Sequence, residues 1–296
     1  MSLHSENKPL SAVGKLMIVP TPLGNLGDMT PRGLEALRTA DIVYAEDTRT
    51  TAKLLSAFGI KTHIARLDEN IMDTLAEQVI DEVLGGRMVA YCTDAGMPGV
   101  SDPGLRLVSC ARKHGANVEV LPGATAVCTA YVASGFTNPR FYFGGFFPRK
   151  KGEATALLES LASLDAVLIF YESPKRIVSA LSIVSEALPM RRVSVCRELT
   201  KVHEEVLIGS ASEIRDLLSA RQENEGIKGE MVFCIDCANA LETKGKQEDS
   251  VSDASKEAVL MLKAGIAPKE AVLRIKERFG IPRNTAYEIV LNAKIS

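Results

Sequence analysis

The stretch from Leu16 to Arg49, LMIVPTPLGNLGDMTPRGLEALRTADIVYAEDTR, constrains the fold more than any other part of the chain. Leu16 to Val19 is a short apolar run with the length and composition of a buried parallel strand. A turn rich in Pro and Gly follows, from Pro20 to Asp28. Thr30 then stands at an N-cap position and Pro31 at the first helical position, where a missing N–H removes no intrahelical bond. Leu34, Ala36, Leu37 and Ala40 share one helical face, and Asp41 to Ala45 returns as a second strand ending in Glu46-Asp47. This is the pattern of a βαβ unit with a ligand-type loop after its first strand.

A Rossmann nucleotide site comes first to mind, because the acidic end of the second strand falls near the position of a ribose-binding carboxylate. The loop argues against it. Gly24 and Gly27 are spaced G-x-x-G rather than G-x-G-x-x-G, Pro20 and Pro22 occupy the approach, and no G-K-[ST] follows to make a P-loop.

The chain has 296 residues, room for two ordinary domains and a tail, and 46% of them are hydrophobic. Its 35 basic and 37 acidic side chains leave a net charge of −2. That balance argues against an extended electrostatic nucleic-acid surface and leaves room for a local basic patch. No apolar run reaches about 18 residues, so no membrane span is expected. Residues 1–14 lack the apolar core of a signal peptide and are expected to be disordered. Cys92, Cys110, Cys128, Cys196, Cys234 and Cys237 are scattered through mostly apolar segments, as in the reduced, buried thiols of a cytoplasmic protein. Cys234 and Cys237 form a C-x-x-C, but MVFCID reads as a strand, on which residues three apart face opposite ways. No metal-ligand spacing occurs elsewhere, and no metal is expected.

Thr50 to Phe58 reads as a helix stopped by Gly59, and Asn70 to Leu84 as another, with Met72, Leu75, Val79, Ile80 and Val83 on its apolar face. The strand Arg87 to Cys92 leads into a second unusual loop, TDAGMPGVSDPG, residues 93–104. Helix Leu105 to His114, strand Asn117 to Leu121 and the turn Pro122-Gly123 come next. A small-residue helix then runs from Ala124 to Ser134, with Thr125 in its first turn. All three special turns follow the C-terminal ends of strands, the edge where open α/β sheets bind ligands. Neither Gly/Pro loop contains Arg or Lys, so a neutral or zwitterionic ligand fits better than a phosphate-rich one.

A second α/β unit begins near Phe141. It offers a strand running into Phe146-Phe147-Pro148-Arg149-Lys150-Lys151, helix Ala154 to Leu161, and strand Ala166 to Tyr171. Glu172-Ser173-Pro174-Lys175-Arg176 follows, with Pro174 placed to open the next helix. Strand Val193 to Cys196 ends in RELTK, residues 197–201, and strand Glu205 to Ile208 follows so closely that the pair must be antiparallel. Helix Ala211 to Arg221 and strand Met231 to Ile235 complete a mixed sheet. Residues 237–253 are polar and aperiodic, as in a linker. Residues 254–296 show three short helical patterns, with Ala267-Pro268 opening one and Gly280-Ile281-Pro282 as a break. Their small excess of positive charge favours packing or dimer support over nucleic-acid contact.

Seven motifs occur in order: PTPLGNLGDMTPR (20–32), AEDTR (45–49), DAGMPGVSDPG (94–104), LPGATA (121–126), GGFFPRK (144–150), YESPKR (171–176) and RELTK (197–201). Together they resemble the tetrapyrrole methylase superfamily over roughly residues 15–236. Within it they are most similar to the branch that methylates the ribose 2′-oxygen of a cytidine in small-subunit (16S) ribosomal RNA near the decoding site. The resemblance implies an α/β protein with two α/β domains, residues 15–122 and 123–236, and a cleft between them for S-adenosylmethionine. A linker, 237–253, and a small helical domain, 254–296, would follow. Tetrapyrrole-making members usually carry a G-x-G pair where this chain has Pro20-Thr21-Pro22, which points away from a tetrapyrrole substrate. The RNA branch often has His where Lys175 stands. A tetrapyrrole methyltransferase, and a non-catalytic RNA-binding assembly factor on the same fold, are the alternatives.

The resemblance implies cofactor contacts from Leu23, Asp94, Met97, Thr125 and Ala126, with Tyr171, Leu199 and Glu230 closing the other side. Asp94 is suited to the amino group of the methionyl part. Methyl transfer from an activated sulfonium needs positioning and removal of the hydroxyl proton. Asp47 and Glu172, ahead of Glu46 and Glu198, are the strand-end carboxylates expected to do the latter. Arg49, Arg149, Lys150, Arg176, Arg197 and Lys201 are the expected phosphate contacts, with Phe146 or Phe147 stacking on a base. The small ribosomal subunit is the expected partner and a cytoplasmic homodimer the expected assembly.

Overall fold

The computed structural model describes residues 14–237, 253–279, 281 and 283–295. Residues 1–13 of the expected disordered start and 238–252 of the expected linker lie outside the described residues. The chain forms two compact units, one of residues up to Ser160 with Ala166–Asp236, the other of Leu161–Asp165 with the residues from Cys237 onward.

The first unit contains two five-stranded sheets. One is built from β1 (Lys15–Ile18), β2 (Ile42–Ala45), β3 (Ile64–Arg66), β4 (Met88–Cys92) and β5 (Val118–Val120) in the order β3-β2-β4-β1-β5. Every pairing in it is parallel. The apolar β1 run is buried on both faces, as a covered parallel sheet requires. Leu16 and Ile18 join the core that includes Met72, Val79, Ile80 and Val83 of α3 (Met72–Leu84) and Leu107 of α4 (Gly104–Lys113). Met17 and Val19 join the opposite core, with Ala36 and Leu37 of α1 (Pro31–Thr39) and Leu55 of α2 (Thr48–Ala57). Thr30 caps α1 as expected: its hydroxyl accepts a hydrogen bond from Gly33 N at 3.0 Å, with Pro31 opening the helix. Strand β3 was not among the sequence expectations. It has three half-exposed or exposed residues and pairs only at the sheet edge, so neither apolar run nor alternation marks it.

The second sheet contains β6 (Phe141–Phe146), β7 (Val167–Glu172), β8 (Arg192–Arg197), β9 (Glu205–Ser210) and β10 (Met231–Ile235), in the order β6-β7-β10-β8-β9. It is mixed, as expected: β6 and β7 are parallel, and every other neighbour is antiparallel. Helix α5 (Ala126–Ala133) packs on this sheet, burying Val127 and Ala130 against Val167, Ile169, Cys196 and Val232. Helices α6 (Lys151–Leu161), α7 (Ile177–Ala187) and α8 (Ala211–Asn224) contribute no residue to that core; α8 opens with a reciprocal Ser210–Glu213 capping box.

Several boundaries differ from expectation, among them the starts of α5, α6 and α7. Thr125 has extended backbone (φ −148°) and is the residue before α5 rather than part of its first turn. Helix α6 starts at Lys151 instead of Ala154. Pro174 does not open α7, because Ser173 O first accepts from Arg176 N at 3.0 Å, closing a turn before the helix begins.

The described residues of the second unit form three helices, α9 (253–263), α10 (Pro268–Phe279) and α11 (Arg283–Ile295), around a core that includes Ala258, Ala271, Ile275, Ala286 and Ile289. No helix among the described residues is long and apolar enough to cross a membrane.

Candidate active-site cleft

The C-terminal ends of β1, β2 and β4 meet the edge of the second sheet formed by the ends of β6, β7 and β8 and the start of β10. A cleft of about 490 Å³ lies there. Leu23, Glu46, Thr93 to Ala95 and Val100 to Asp102 line it from the first sheet's loops, and Ala126 from α5. Phe146, Tyr171 to Pro174, Cys196, Leu199 and Gly229 to Val232 line it from the second.

The three special turns are joined to one another. Thr21 and Gly96 exchange backbone hydrogen bonds of 3.0 Å, and the Thr21 hydroxyl donates to Thr93 O at 3.1 Å. The Pro20 ring covers Gly123, where a Cβ would come within 2.5 Å of Pro20 Cβ, so the third turn needs glycine to accept the proline of the first. Asp102 organises the second loop: its Oδ1 accepts from Gly99 N at 2.7 Å and Gly104 N at 2.8 Å, while Ser101 is held at φ 71°.

Five carboxylates line the cleft, from Glu46, Asp94, Asp102, Glu172 and Glu230, and no Lys, Arg or His among the described residues does. Glu46 makes no hydrogen bond or ion pair among the described residues. Burial raises its pKa above the usual carboxylate range, and Asp94, Asp102, Asp68 and Glu69 add repulsion. Asp94 is raised too, chiefly by desolvation, although its Oδ1 accepts from Asp47 N at 3.2 Å. Glu172 is 3% exposed. Its Oε1 accepts from Ser173 N at 2.7 Å and from the Ser173 hydroxyl at 3.3 Å. Its Oε2 stands 3.0 Å from Arg176 Nη2 but has no aligned hydrogen-bond partner among the described residues. The same Arg176 nitrogen donates to Phe147 O at 3.0 Å and Pro148 O at 2.9 Å. Burial pushes the Tyr171 phenol up to about 12.

Of the four candidate bases, Glu46 and Glu172 therefore reach the cleft and Asp47 and Glu198 do not line it. Asp47 caps α2, accepting from Arg49 N at 2.8 Å, and its carboxylate is gripped by Arg49 Nε at 3.1 Å and Nη2 at 2.7 Å. That ion pair holds the Asp47 carboxyl well below its ordinary range. Glu198, at φ 52°, accepts from Lys201 Nζ and Glu230 N, both at 2.9 Å, and Lys201 likewise keeps it low. Of the expected cofactor contacts, Leu23, Asp94, Ala126, Tyr171, Leu199 and Glu230 line the cleft. Met97 is half-buried in the second loop and Thr125 precedes the lining Ala126; neither lines it.

None of the six expected phosphate contacts lines the cleft, and five are engaged within the protein. Arg49 pairs with Asp47, Lys150 with Glu153 at 2.8 Å and Arg197 with Glu205 at 3.1 Å. Lys201 pairs with Glu198 and Glu230, and Arg176 faces Glu172 and two carbonyls. Arg149 is exposed and has no partner among the described residues. Phe146 and Phe147 separate: Phe146 is 63% exposed and meets Tyr171 edge-on at 5.5 Å, whereas Phe147 is buried between Phe170 and Phe233. Among the lining residues that sequence reasoning missed are Ser101, Asp102, Ser173 and Met231. The first two stand inside the DAGMPGVSDPG motif and Ser173 inside YESPKR, which were the available signals. The described cysteines form no disulfide, and no group of three or more metal-ligating side chains occurs among the described residues.

A family model described as Tetrapyrrole (Corrin/Porphyrin) Methylases matches residues 15–215. The protein named ribosomal RNA small subunit methyltransferase I from Halalkalibacterium halodurans is 40% identical over 279 residues, covering 93% of this chain and 94% of that one. Its namesake from Thermotoga maritima is 41% identical over 201 residues, covering 68% of this chain and 90% of that one. The solved structure of diphthine synthase superposes with a TM-score of 0.60 at 17% identity, over 75% of this chain and 90% of that one, a likeness of fold alone. The chain thus belongs to the tetrapyrrole methylase family and, within it, to the group of proteins named ribosomal RNA small subunit methyltransferase I.

Proposed function

We propose that this protein transfers a methyl group from S-adenosylmethionine to the ribose 2′-oxygen of a cytidine in small-subunit ribosomal RNA, near the decoding site. The observation that carries the reading is the likeness, over 93% of the chain, to a relative named as a small-subunit rRNA methyltransferase. The donor set suits the cofactor. Leu23, Val100, Leu199 and Met231 offer apolar walls for a nucleoside, and the unpartnered Glu46 calls for a cationic or hydroxyl-bearing ligand. Leu23, Asp94, Ala126, Tyr171, Leu199 and Glu230 would hold it, with Met97 and Thr125 shaping the turns behind them. When bound, the sulfonium supplies an already activated methyl group.

The chain's own residues position the acceptor hydroxyl and receive its proton. Glu46 is the favoured acceptor, because it is unpaired, lines the cleft and is the more basic for its raised pKa. Glu172 positions: it fixes Ser173 and faces the Arg176 that holds the Phe147–Pro148 backbone. Asp47 and Glu198, spent on ion pairs, order the loops instead. Phe146 is the stacking surface for an extruded base and Arg149 the freest phosphate contact. The protein acts as a cytoplasmic homodimer on the assembled small subunit. Labelled S-adenosylmethionine incubated with under-methylated small subunits, naked RNA fragments and a tetrapyrrole macrocycle tests the reading. Label in subunits is expected; label in the macrocycle alone would replace it with the tetrapyrrole reading.

A further inference from the structure

Strands β6 and β7 run parallel, so the turns that follow them leave the same sheet edge side by side, with Phe146 paired to Tyr171 in the register. The two rings meet edge-on at 5.5 Å, and both residues line the cleft. The two turns are then tied together. Phe147 N donates to Tyr171 O at 3.0 Å, and Arg176 Nη2 donates to Phe147 O at 3.0 Å and Pro148 O at 2.9 Å. The turn after β7 is also closed on itself, Arg176 N donating to Ser173 O at 3.0 Å, and the Pro174 ring fixes φ at its second position. Each turn carries a cation beside the clamp. Arg149 follows Pro148 directly, and Lys175 directly precedes Arg176. Both are exposed, and neither has a hydrogen bond or ion pair among the described residues. Their neighbours are committed: Lys150 pairs with Glu153, Lys151 with Glu186 at 2.7 Å, and Arg176 with Glu172.

We propose that Lys175 is a phosphate contact for the acceptor RNA and that it works as a pair with Arg149, the two cations taking the phosphates on either side of the nucleotide whose base stacks on Phe146. The inference rests on the RNA reading given above. A nucleotide within a strand has a phosphodiester on each side of its ribose. Five carboxylates line the cleft, so it repels those phosphates while admitting the neutral ribose. The phosphates stay at the rim, where Arg149 and Lys175 stand. A cation held in an ion pair must break that pair to take a phosphate, whereas an unpaired one is free to displace the counterions of the strand. The clamp lowers the ordering cost further: Arg176 fixes the backbone of both turns, so only the two side chains lose freedom on binding. Arg176 is thereby a positioning residue, in place of the phosphate contact that its charge suggests.

Binding of the full chain to small ribosomal subunits lacking ribose methylation, measured from about 50 to 200 mM potassium chloride at fixed magnesium, tests this. Lys175→Ala and Arg149→Ala are each expected to weaken binding about fivefold at the lowest salt. Each should also lower the slope of log affinity against log salt by about one, and the double variant by about two. Lys175→Arg keeps the charge and is expected to restore the slope. Affinity for S-adenosylmethionine, from calorimetry, is expected to be unchanged in all of them, which separates a lost RNA contact from a damaged fold. Lys61→Ala is the control, since Lys61 is exposed and enters β3 from the opposite sheet edge; its slope should equal that of the wild type. An unchanged slope in Lys175→Ala, or an equal fall in Lys61→Ala, would overturn Lys175 as a contact while leaving the RNA reading intact. A double variant no different from either single one would overturn the pairing with Arg149. A wild type that neither binds nor methylates the subunits would overturn the RNA reading and the proposal with it.

Discussion

The aliphatic stem of Lys201 lies on the backbone of Gly24: a Cβ at Gly24 would come within 2.2 Å of Lys201 Cγ and 2.9 Å of Cε. Gly24 belongs to the Pro-rich loop after β1 and Lys201 to the turn after β8. The ammonium of the same side chain reaches Glu198 and Glu230, each at 2.9 Å. One residue thus joins loops from both sheets across the mouth of the cleft and sets the position of a lining carboxylate.

Gly24→Ala is expected to displace Lys201 and raise the dissociation constant for S-adenosylmethionine about three- to tenfold. Because the displaced stem is flexible, stability should fall by less than about 1 kcal/mol. Titration and thermal melting measure the two quantities; an unchanged dissociation constant would remove Lys201 from the cleft's closing wall.

Gly229 is a harsher position. It sits at φ 99°, and an added Cβ would lie 2.5 Å from Glu198 Cγ. Gly229→Ala combines a strained backbone with a clash at a residue that is itself in the left-handed region, so a loss of about 1–3 kcal/mol is expected from denaturant melts.

The carboxyl of Glu46 is raised in the folded protein, chiefly by burial. A raised carboxyl supports the fold while protonated and loses that contribution as the pH rises through its folded pKa. Glu46→Gln is therefore expected to stabilise the protein at neutral pH, with the gain vanishing as the pH falls into the ordinary carboxylate range, and to lower methyl transfer. Melts across pH together with activity assays would show this opposition; a variant destabilised at neutral pH would contradict it.

Glu205 has the opposite sign. Its carboxylate accepts from Arg221 at 2.6 and 2.9 Å and from Arg197 at 3.1 Å, and Arg221 foremost holds its pKa down. A depressed carboxyl contributes stability above its unfolded pKa and loses it as the pH falls through the folded value. Glu205→Gln should cost about 1–3 kcal/mol near neutrality, and the difference from wild type should shrink below about pH 4.

Adjacent phenylalanines should separate cleanly. Phe147→Ala opens a cavity between Phe170 and Phe233 and should cost about 3–5 kcal/mol. Phe146→Ala should leave the melting temperature nearly unchanged and weaken RNA binding by about 1–3 kcal/mol. Arg149→Ala should weaken binding and reduce its salt slope by about one.

The first βαβ unit was legible because its signals are local: an apolar run, a Thr-Pro start and a returning strand. The same holds for β10 and for the antiparallel β8–β9 pair. Strand β3 carries no such signal, since its pairing with β2 is what makes it a strand. The cleft was legible as a place, because all three special turns follow strand ends. The state of its side chains was not. Asp47 and Glu46 are neighbours in sequence, yet one is locked to Arg49 and the other stands unpaired among carboxylates. Charge type alone could not reveal that most of the motif's cations already have intramolecular partners, and Phe146 and Phe147 differ only in which side of β6's end they face.

The most direct test of the central claim is nucleoside mass spectrometry after methyl transfer from labelled S-adenosylmethionine to small ribosomal subunits lacking ribose methylation, with wild type and Glu46→Gln side by side. Labelled 2′-O-methylcytidine formed by the wild type, and strongly reduced in the variant, is the predicted result. Label on a base, on another nucleoside, or absent while the cofactor still binds would contradict it.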